Sequence, residues 1–138
     1  MFLFKTSGAT LASVVKNQKH AFRGQPRDWH MGEIVLVSKN RADCDKNERQ
    51  IQYVMVLDSI RHIQPGESER YWPGTEGRWR YLVQCRDTQR VNRPFNLQEA
   101  LGISAKEYSA VMTFKRLNPE HEVQLRTFLK HREPELLP

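Results

Sequence analysis

Tyr71 and Trp72 stand side by side in a stretch that holds Gly66, Pro73, Gly74 and Gly77 and few aliphatic residues, and Arg78-Trp79-Arg80 follows directly. Flat rings among guanidinium groups are suited to gripping nucleic acid, because bases stack on the rings while phosphates pair with the cations. A loop whose large aromatics have little nearby to bury them tends to carry function. Arg78, Arg80, Arg90 and Lys39 are the candidate phosphate contacts. Trp79 has a second reading, as a core residue in register with Tyr81 and Val83.

Catalysis has thinner material. A metal-dependent nuclease needs clustered carboxylates with a lysine or histidine beside them to hold a cation and activate water. Asp58, Glu67 and Glu69 come nearest, without a lysine at suitable spacing. His20, His30, His62, His121 and His131 form no i,i+4 pair and have no cysteines beside them, so solvated or capping roles are expected rather than metal ligation. There is no glycine-rich phosphate loop and no nucleophile-elbow motif. The expectation is a binding module without catalytic residues, metal or cofactor, any chemistry lying in another chain or domain.

The charge agrees with a polyanionic partner. Lys and Arg number 22 against 16 Asp and Glu, a formal charge of +6, and the excess is segregated. Residues 1–27 carry Lys5, Lys16, Lys19, Arg23 and Arg27 with no acid, and residues 78–93 carry Arg78, Arg80, Arg86, Arg90 and Arg93 against Asp87 alone. The bland alternative is a basic chain whose charge only keeps it dispersed. Cys44 and Cys85 show no close pairing, so reduced thiols in a cytosol are expected. The opening Met-Phe-Leu-Phe is broken by Lys5, too early for a secretory leader or a membrane span. Its lack of acids mimics a mitochondrial presequence, but the same residues read well as strand then helix.

The elements that must position these residues fit one domain over residues 1–138. Phe2 to Thr6 reads as a buried strand and Ser7-Gly8 as a turn. Leu11, Val14, Val15 and Phe22 fall at helical spacing, and Gly24-Gln25-Pro26 ends that helix. Ile34 to Ser38 is a β-branched run expected as a central strand covered on both faces. Lys39 to Gln50 is a polar loop, and alternation from Ile51 onward predicts a strand as far as Ile63. Residues 66–77 form the aromatic loop, Trp79, Tyr81, Val83 and Cys85 a fourth strand, and Arg90-Val91 the start of a fifth before Pro94. Capping boxes at Asn96 with Glu99 and at Ser104 with Glu107 predict two short helices. A last helix has Asn118 as cap, Pro119 at its first position, and Val123, Leu125, Phe128 and Leu129 as its buried stripe. The result is an α+β domain, a small curved or barrel-like sheet with helices packed around it.

The order of these elements resembles the EVE and YTH domains of the PUA-like superfamily. Phe4-Lys5-Thr6-Ser7 is similar to the Lys-Ser exit of the first strand in both, and Gly32-Glu33-Ile34-Val35-Leu36 to the EVE strand entry. Leu36-Val37-Ser38-Lys39-Asn40 resembles the Ser-x-Asn strand end of YTH domains, Tyr71-Trp72 falls where those place a cage tryptophan, and Pro94 to Glu99 is similar to the EVE P-x-x-L-x-E-L segment. The resemblance implies a pocket for a modified base, methylated or hydroxymethylated, flipped out of its stack. Trp72 would be one wall, Lys5, Thr6, Ser38 and Asn40 the polar side, and Tyr71 and Trp79 neighbours, with Arg78 at the rim. YTH domains carry a further cage tryptophan just after the first helix, where this chain has Phe22, with Trp29 seven residues later; either is a candidate second wall, and Trp29 also reads as a staple packing under Gly32.

The resemblance points to the DNA-specificity module of a modification-dependent restriction or defence system, cytoplasmic, with a nuclease or NTPase subunit as partner. Two alternatives stay open. One is an RNA-binding module of the same superfamily; the other is a protein-interaction domain with Tyr71 and Trp72 as anchors.

Overall fold

The computed structural model describes residues 1–25, 27–39, 49–104 and 114–136. The loop expected over Lys39 to Gln50, the helix begun at Ser104 and the candidates Asn40 and Cys44 fall wholly or largely outside the described residues, as does Pro26.

Among the described residues six strands form one mixed sheet in the order β2-β5-β4-β3-β1-β6. They are β1 (Phe2–Thr6), β2 (Lys19–Phe22), β3 (Ile34–Lys39), β4 (Gln50–His62), β5 (Tyr81–Asn96) and β6 (Phe114–Arg116). β1 runs parallel to β3, with Phe2 opposite Val35, and the other pairings are antiparallel. The β3–β4 and β4–β5 ladders shift register at several points, which bends and twists long strands and curls this sheet. Four helices among the described residues pack on it: α1 (Leu11–Asn17), α2 (Glu67–Tyr71), α3 (Leu97–Leu101) and α4 (Pro119–Arg132).

Every residue of β1, and Ile34 to Ser38 of β3, is buried, because the central strands are covered on both faces. On one face Leu3, Leu36, Ile51 and Phe95 pack beneath Leu97 and Leu101 of α3 and Leu125 and Leu129 of α4. On the other Phe2, Phe4, Val35, Val37, Met55 and Val83 meet Leu11 and Val14 of α1. Among the described residues no helix is long and apolar enough to cross a membrane.

Several elements depart from the sequence reading. α1 stops at Asn17, and Phe22 lies on a strand. Gln18 adopts a left-handed conformation at φ 55°, its carbonyl accepts the Cys85 N–H, and its side-chain oxygen accepts from Thr88 N and Oγ1. The chain is thereby turned onto the sheet edge as β2, and the helical spacing of Phe22 is coincidental. The two strands expected around Tyr81 and Arg90 are one, β5. Asp87, at φ 52°, takes up a bulge, and Pro94 falls between Arg90 and Phe95, where the β4 register skips and no ladder donor is required. Residues 66–77 are not all loop, since α2 occupies five of them. β6 was not foreseen. In α4, Val123 is 66% exposed: two residues from Leu125 along a helix is nearly the opposite face.

Candidate functional site

One cleft of about 450 Å³ gathers the first-strand exit, α1, β2 and the segment between α2 and β5. That volume lies within the range of small-ligand sites, about 300–1,000 Å³. β1 delivers Lys5 and Thr6, both buried, and the turn after it delivers Ser7 and Thr10. The three hydroxyls are linked: Thr6 Oγ1 lies 2.8 Å and Ser7 Oγ 2.7 Å from Thr10 Oγ1. The Ser7 carbonyl also accepts the N–H groups of Thr10 and Leu11, so the turn that starts α1 fixes the polar floor.

The opposite wall is Trp72, Thr75, Arg78 and Trp79. Trp72 follows the last residue of α2, with its N–H donating to the Ser68 carbonyl at 2.8 Å. Ser68 and Thr75 clamp the following turn: Ser68 Oγ donates to the Thr75 carbonyl at 2.9 Å, and Thr75 Oγ1 lies 2.5 Å from the Trp72 carbonyl. Gly74 sits at φ 83°, a backbone strained for other residues, and its N–H donates to both Glu69 carboxylate oxygens. Glu67 holds the head of α2 through a bidentate pair with Arg61 at 2.6 and 2.7 Å, and that bond lowers its carboxyl to about 2. Of the carboxylates weighed as metal ligands, Glu67 and Glu69 are therefore structural hydrogen-bond acceptors, and Asp58 lies 3.8 Å from the Arg86 guanidinium. Among the described residues no group of acidic, histidine or cysteine side chains is placed to hold a metal ion.

Trp72 is 7% exposed and packs with Ala21 of β2 and Leu82 of β5, with Trp79 half-buried beside them. The expectation that too few apolar residues lie near Trp72 to bury it is thus corrected. Its partners come from strands distant in sequence. Arg23 and Arg78 stand at the rim, Arg23 Nε donating to the Arg78 carbonyl at 3.2 Å and the Arg78 guanidinium lying 5.7 Å from the Trp79 ring. Among the described residues the cleft is lined by three cations, Lys5, Arg23 and Arg78, and by no carboxylate.

His20 forms part of the β2 wall. Its ring stacks on Phe22, two residues along the same strand face, at 4.5 Å and 9°, and meets Phe4 edge-on at 5.4 Å. Burial pushes the imidazole down to about 4, against a smaller upward pull from its bond to the Ala21 carbonyl, so the ring is neutral at pH 7.

The sequence-derived candidates divide. Lys5, Thr6, Trp72, Trp79 and Arg78 meet in the cleft. Ser38 is buried and Phe22 and Trp29 belong to the apolar cluster beside α1; none of the three lines the cleft. Tyr71 turns to a neighbouring cleft of about 440 Å³ with Lys16 and Arg70. Arg80 lies outside the cleft lining, its N–H donating to the Phe22 carbonyl, and Lys39 ends β3. Arg90 does not cluster with the aromatics: it lies about nine strand residues beyond Tyr81, in a separate cleft with Asn92 and Glu133. His20, Arg23, Thr10 and Thr75 were missed. For His20 and Arg23 the obstacle was reading Lys19 to Phe22 as helix, which hides the two-residue alternation of His20 and Phe22; nothing local signals Thr75. A larger cleft, about 650 Å³, opens around Ile34, Val56 and Gln89, but among the described residues it is lined by Asp87 and Glu135 and by no aromatic ring.

The sequence matches no family model and no curated protein. Solved structures do match it. The chain has the fold of an ASCH protein. The crystal structure of ASCH from Zymomonas mobilis superposes with a TM-score of 0.61 at 14% identity, covering 91% of this chain and 93% of that one. A serine-to-alanine mutant of the same protein gives 0.64 at 14%, over 92% and 94%. ASCH folds are PUA-like, so the curved mixed sheet anticipated from the sequence is the one present. The likeness is one of fold, and it does not single out the EVE and YTH domains that the sequence resembles.

Proposed function

We propose that this chain is a non-catalytic nucleic-acid-binding module whose cleft receives one nucleobase turned out of its strand. The carrying observation is the lining, which among the described residues has two tryptophans, three cations and no carboxylate around a single space of about 450 Å³. Trp79, the more open of the two rings, is the stacking face, and Trp72 braces it from behind. Arg23 and Arg78 at the rim take the flanking phosphates, and Lys5 and Thr6 meet the polar edge of the base. The PUA-like fold supports this reading, and so does the segregated positive charge. Within it, the base is a methylated or hydroxymethylated one in DNA, and the module supplies specificity to a nuclease or NTPase partner of a restriction system.

The test is titration of matched DNA and RNA oligonucleotides, with one position modified or not, over a range of salt concentrations. A steep salt slope and a preference for one modified strand are expected. A preference for RNA would move the module to the other nucleic acid. No binding at low salt would return the domain to protein interaction.

A further inference from the structure

The Nδ1 of His20 lies 3.1 Å from the Ala21 carbonyl oxygen, and a carbonyl only accepts. The ring proton therefore sits on Nδ1, which leaves Nε2 a bare acceptor. That nitrogen is closed off from solvent and has no hydrogen-bond partner. A buried polar atom without a partner is costly to a folded chain and unusual enough to need a reason. His20 lines the cleft, and histidine χ2 is a soft torsion, so a bound ligand can draw Nε2 toward itself by a small turn of the ring.

The rest of the lining gives this nitrogen a distinct character. Lys5, Arg23, Arg78 and the indole N–H groups of Trp72 and Trp79 can only donate. Thr6, Ser7, Thr10 and Thr75 carry hydroxyls that both donate and accept and are already engaged with one another or with Ser68 and Trp72. Among the described side chains that line the cleft, His20 Nε2 is the one acceptor that cannot also donate at neutral pH. A ligand N–H finds its dedicated partner there, and a ligand carbonyl does not.

We infer that His20 is the specificity-determining residue of the cleft, and that it selects a base whose exocyclic amine keeps at least one N–H. This rests on the base-binding reading above. Cytosine, adenine and their N-monomethyl derivatives meet the requirement. N,N-dimethylated bases have lost the donor, and uracil or hypoxanthine presents a carbonyl oxygen in its place.

The experiment uses the full chain and a single-stranded oligonucleotide carrying, at one position, cytosine, N4-methylcytosine, N4,N4-dimethylcytosine or uracil, with the corresponding adenine series. Wild type should bind the N–H-bearing bases about five- to hundredfold more tightly than the others, the range set by one unpaired buried polar group. Uracil, which is no larger than cytosine, separates loss of the donor from steric exclusion of the dimethyl base. His20→Phe keeps the stack on Phe22 and removes the acceptor, so its affinities across a series should converge to within about threefold. Melting curves check that it folds, and His20→Gln, which offers a carbonyl acceptor, should recover part of the discrimination. Equal affinities in wild type, or discrimination that persists in a folded His20→Phe, overturns the inference while leaving a base pocket in place. Absence of oligonucleotide binding, or binding indifferent to Trp79→Ala, overturns the base-binding reading and this inference with it.

Discussion

Trp72 and Trp79 line one cleft, yet their alanine variants should fail in opposite ways. Trp72 is 7% exposed and wedged against Ala21 and Leu82, so its removal opens a void between β2, β5 and the turn after α2. Truncating a buried tryptophan costs about 3–5 kcal/mol. Here one side of the void joins the cleft, where water can enter, which places the loss near the lower end, at about 3 kcal/mol. For a chain of this length that corresponds to a fall in melting temperature of roughly 10 °C. Trp79 is half-buried at the surface of the same cluster, and its replacement should cost on the order of 1 kcal/mol in stability. In titrations held well below either melting point, Trp79→Ala should lose about 1–3 kcal/mol of oligonucleotide binding, the range for one base stack. Thermal denaturation and titration on the same two preparations decide the matter. If Trp72→Ala melts like wild type, its packing does not brace the wall. If Trp79→Ala folds and binds undiminished, Trp79 is not the stacking face.

Three further outcomes follow from the same geometry. Arg78→Ala should weaken all oligonucleotides about equally and make the salt slope shallower by about one unit, while Arg90→Ala, in a different cleft, should leave both unchanged; salt-series titrations compare them. His20, held to about 4 in the fold against an ordinary 6.5, is protonated first in the unfolded chain, so stability should decline as pH falls from about 6.5 to 4, by at most roughly 3 kcal/mol. Denaturant melts across that window should show the decline in wild type and a smaller one in His20→Phe. Glu67, lowered to about 2 from an ordinary 4.5, stabilises the fold above pH 4.5 and loses that contribution as pH falls through 2, so the melting difference between wild type and Glu67→Gln should narrow toward pH 2. A difference that widened on acidification would refute the Arg61–Glu67 assignment.

The fold was legible where one strand or helix carries its own pattern. The dense apolar run from Ile34 to Val37 announces burial on both faces, and Asn118-Pro119 announces the start of α4, where the Asn118 side chain accepts the His121 N–H. Reading failed where structure depends on partners distant in sequence. Gln18 ends α1 because Thr88 and Cys85 hold it, and no residue near Gln18 encodes that contact. Trp72 looked stranded in a polar loop because Ala21 and Leu82 lie 51 and 10 residues away along the chain. The lining of the candidate cleft was half visible for the same reason. Lys5, Thr6 and Arg78 were found through motif order and local charge, whereas Arg23 and His20 enter only once β2 is known to be a strand paired to β5.

The carboxylates explain why the cleft keeps its positive character in a segment that is locally acidic. Glu67, Glu69 and Glu76 all lie within ten residues of Trp72, close enough in sequence to neutralise Arg78. Instead Glu69 accepts the Gly74 N–H, Glu76 accepts the Gly66 N–H at 3.2 Å, and Glu67 faces Arg61, all outside the cleft lining. The two bonds to glycine N–H groups also fix turns that a flexible glycine would otherwise leave loose. The acidic residues thus do two things: they hold the tryptophan-bearing turn in shape, and they keep their charge off the cleft that Lys5, Arg23 and Arg78 line. If the cleft receives nucleic acid as proposed, a phosphate at its rim meets Arg23 and Arg78, and the base beside it meets rings already held in place.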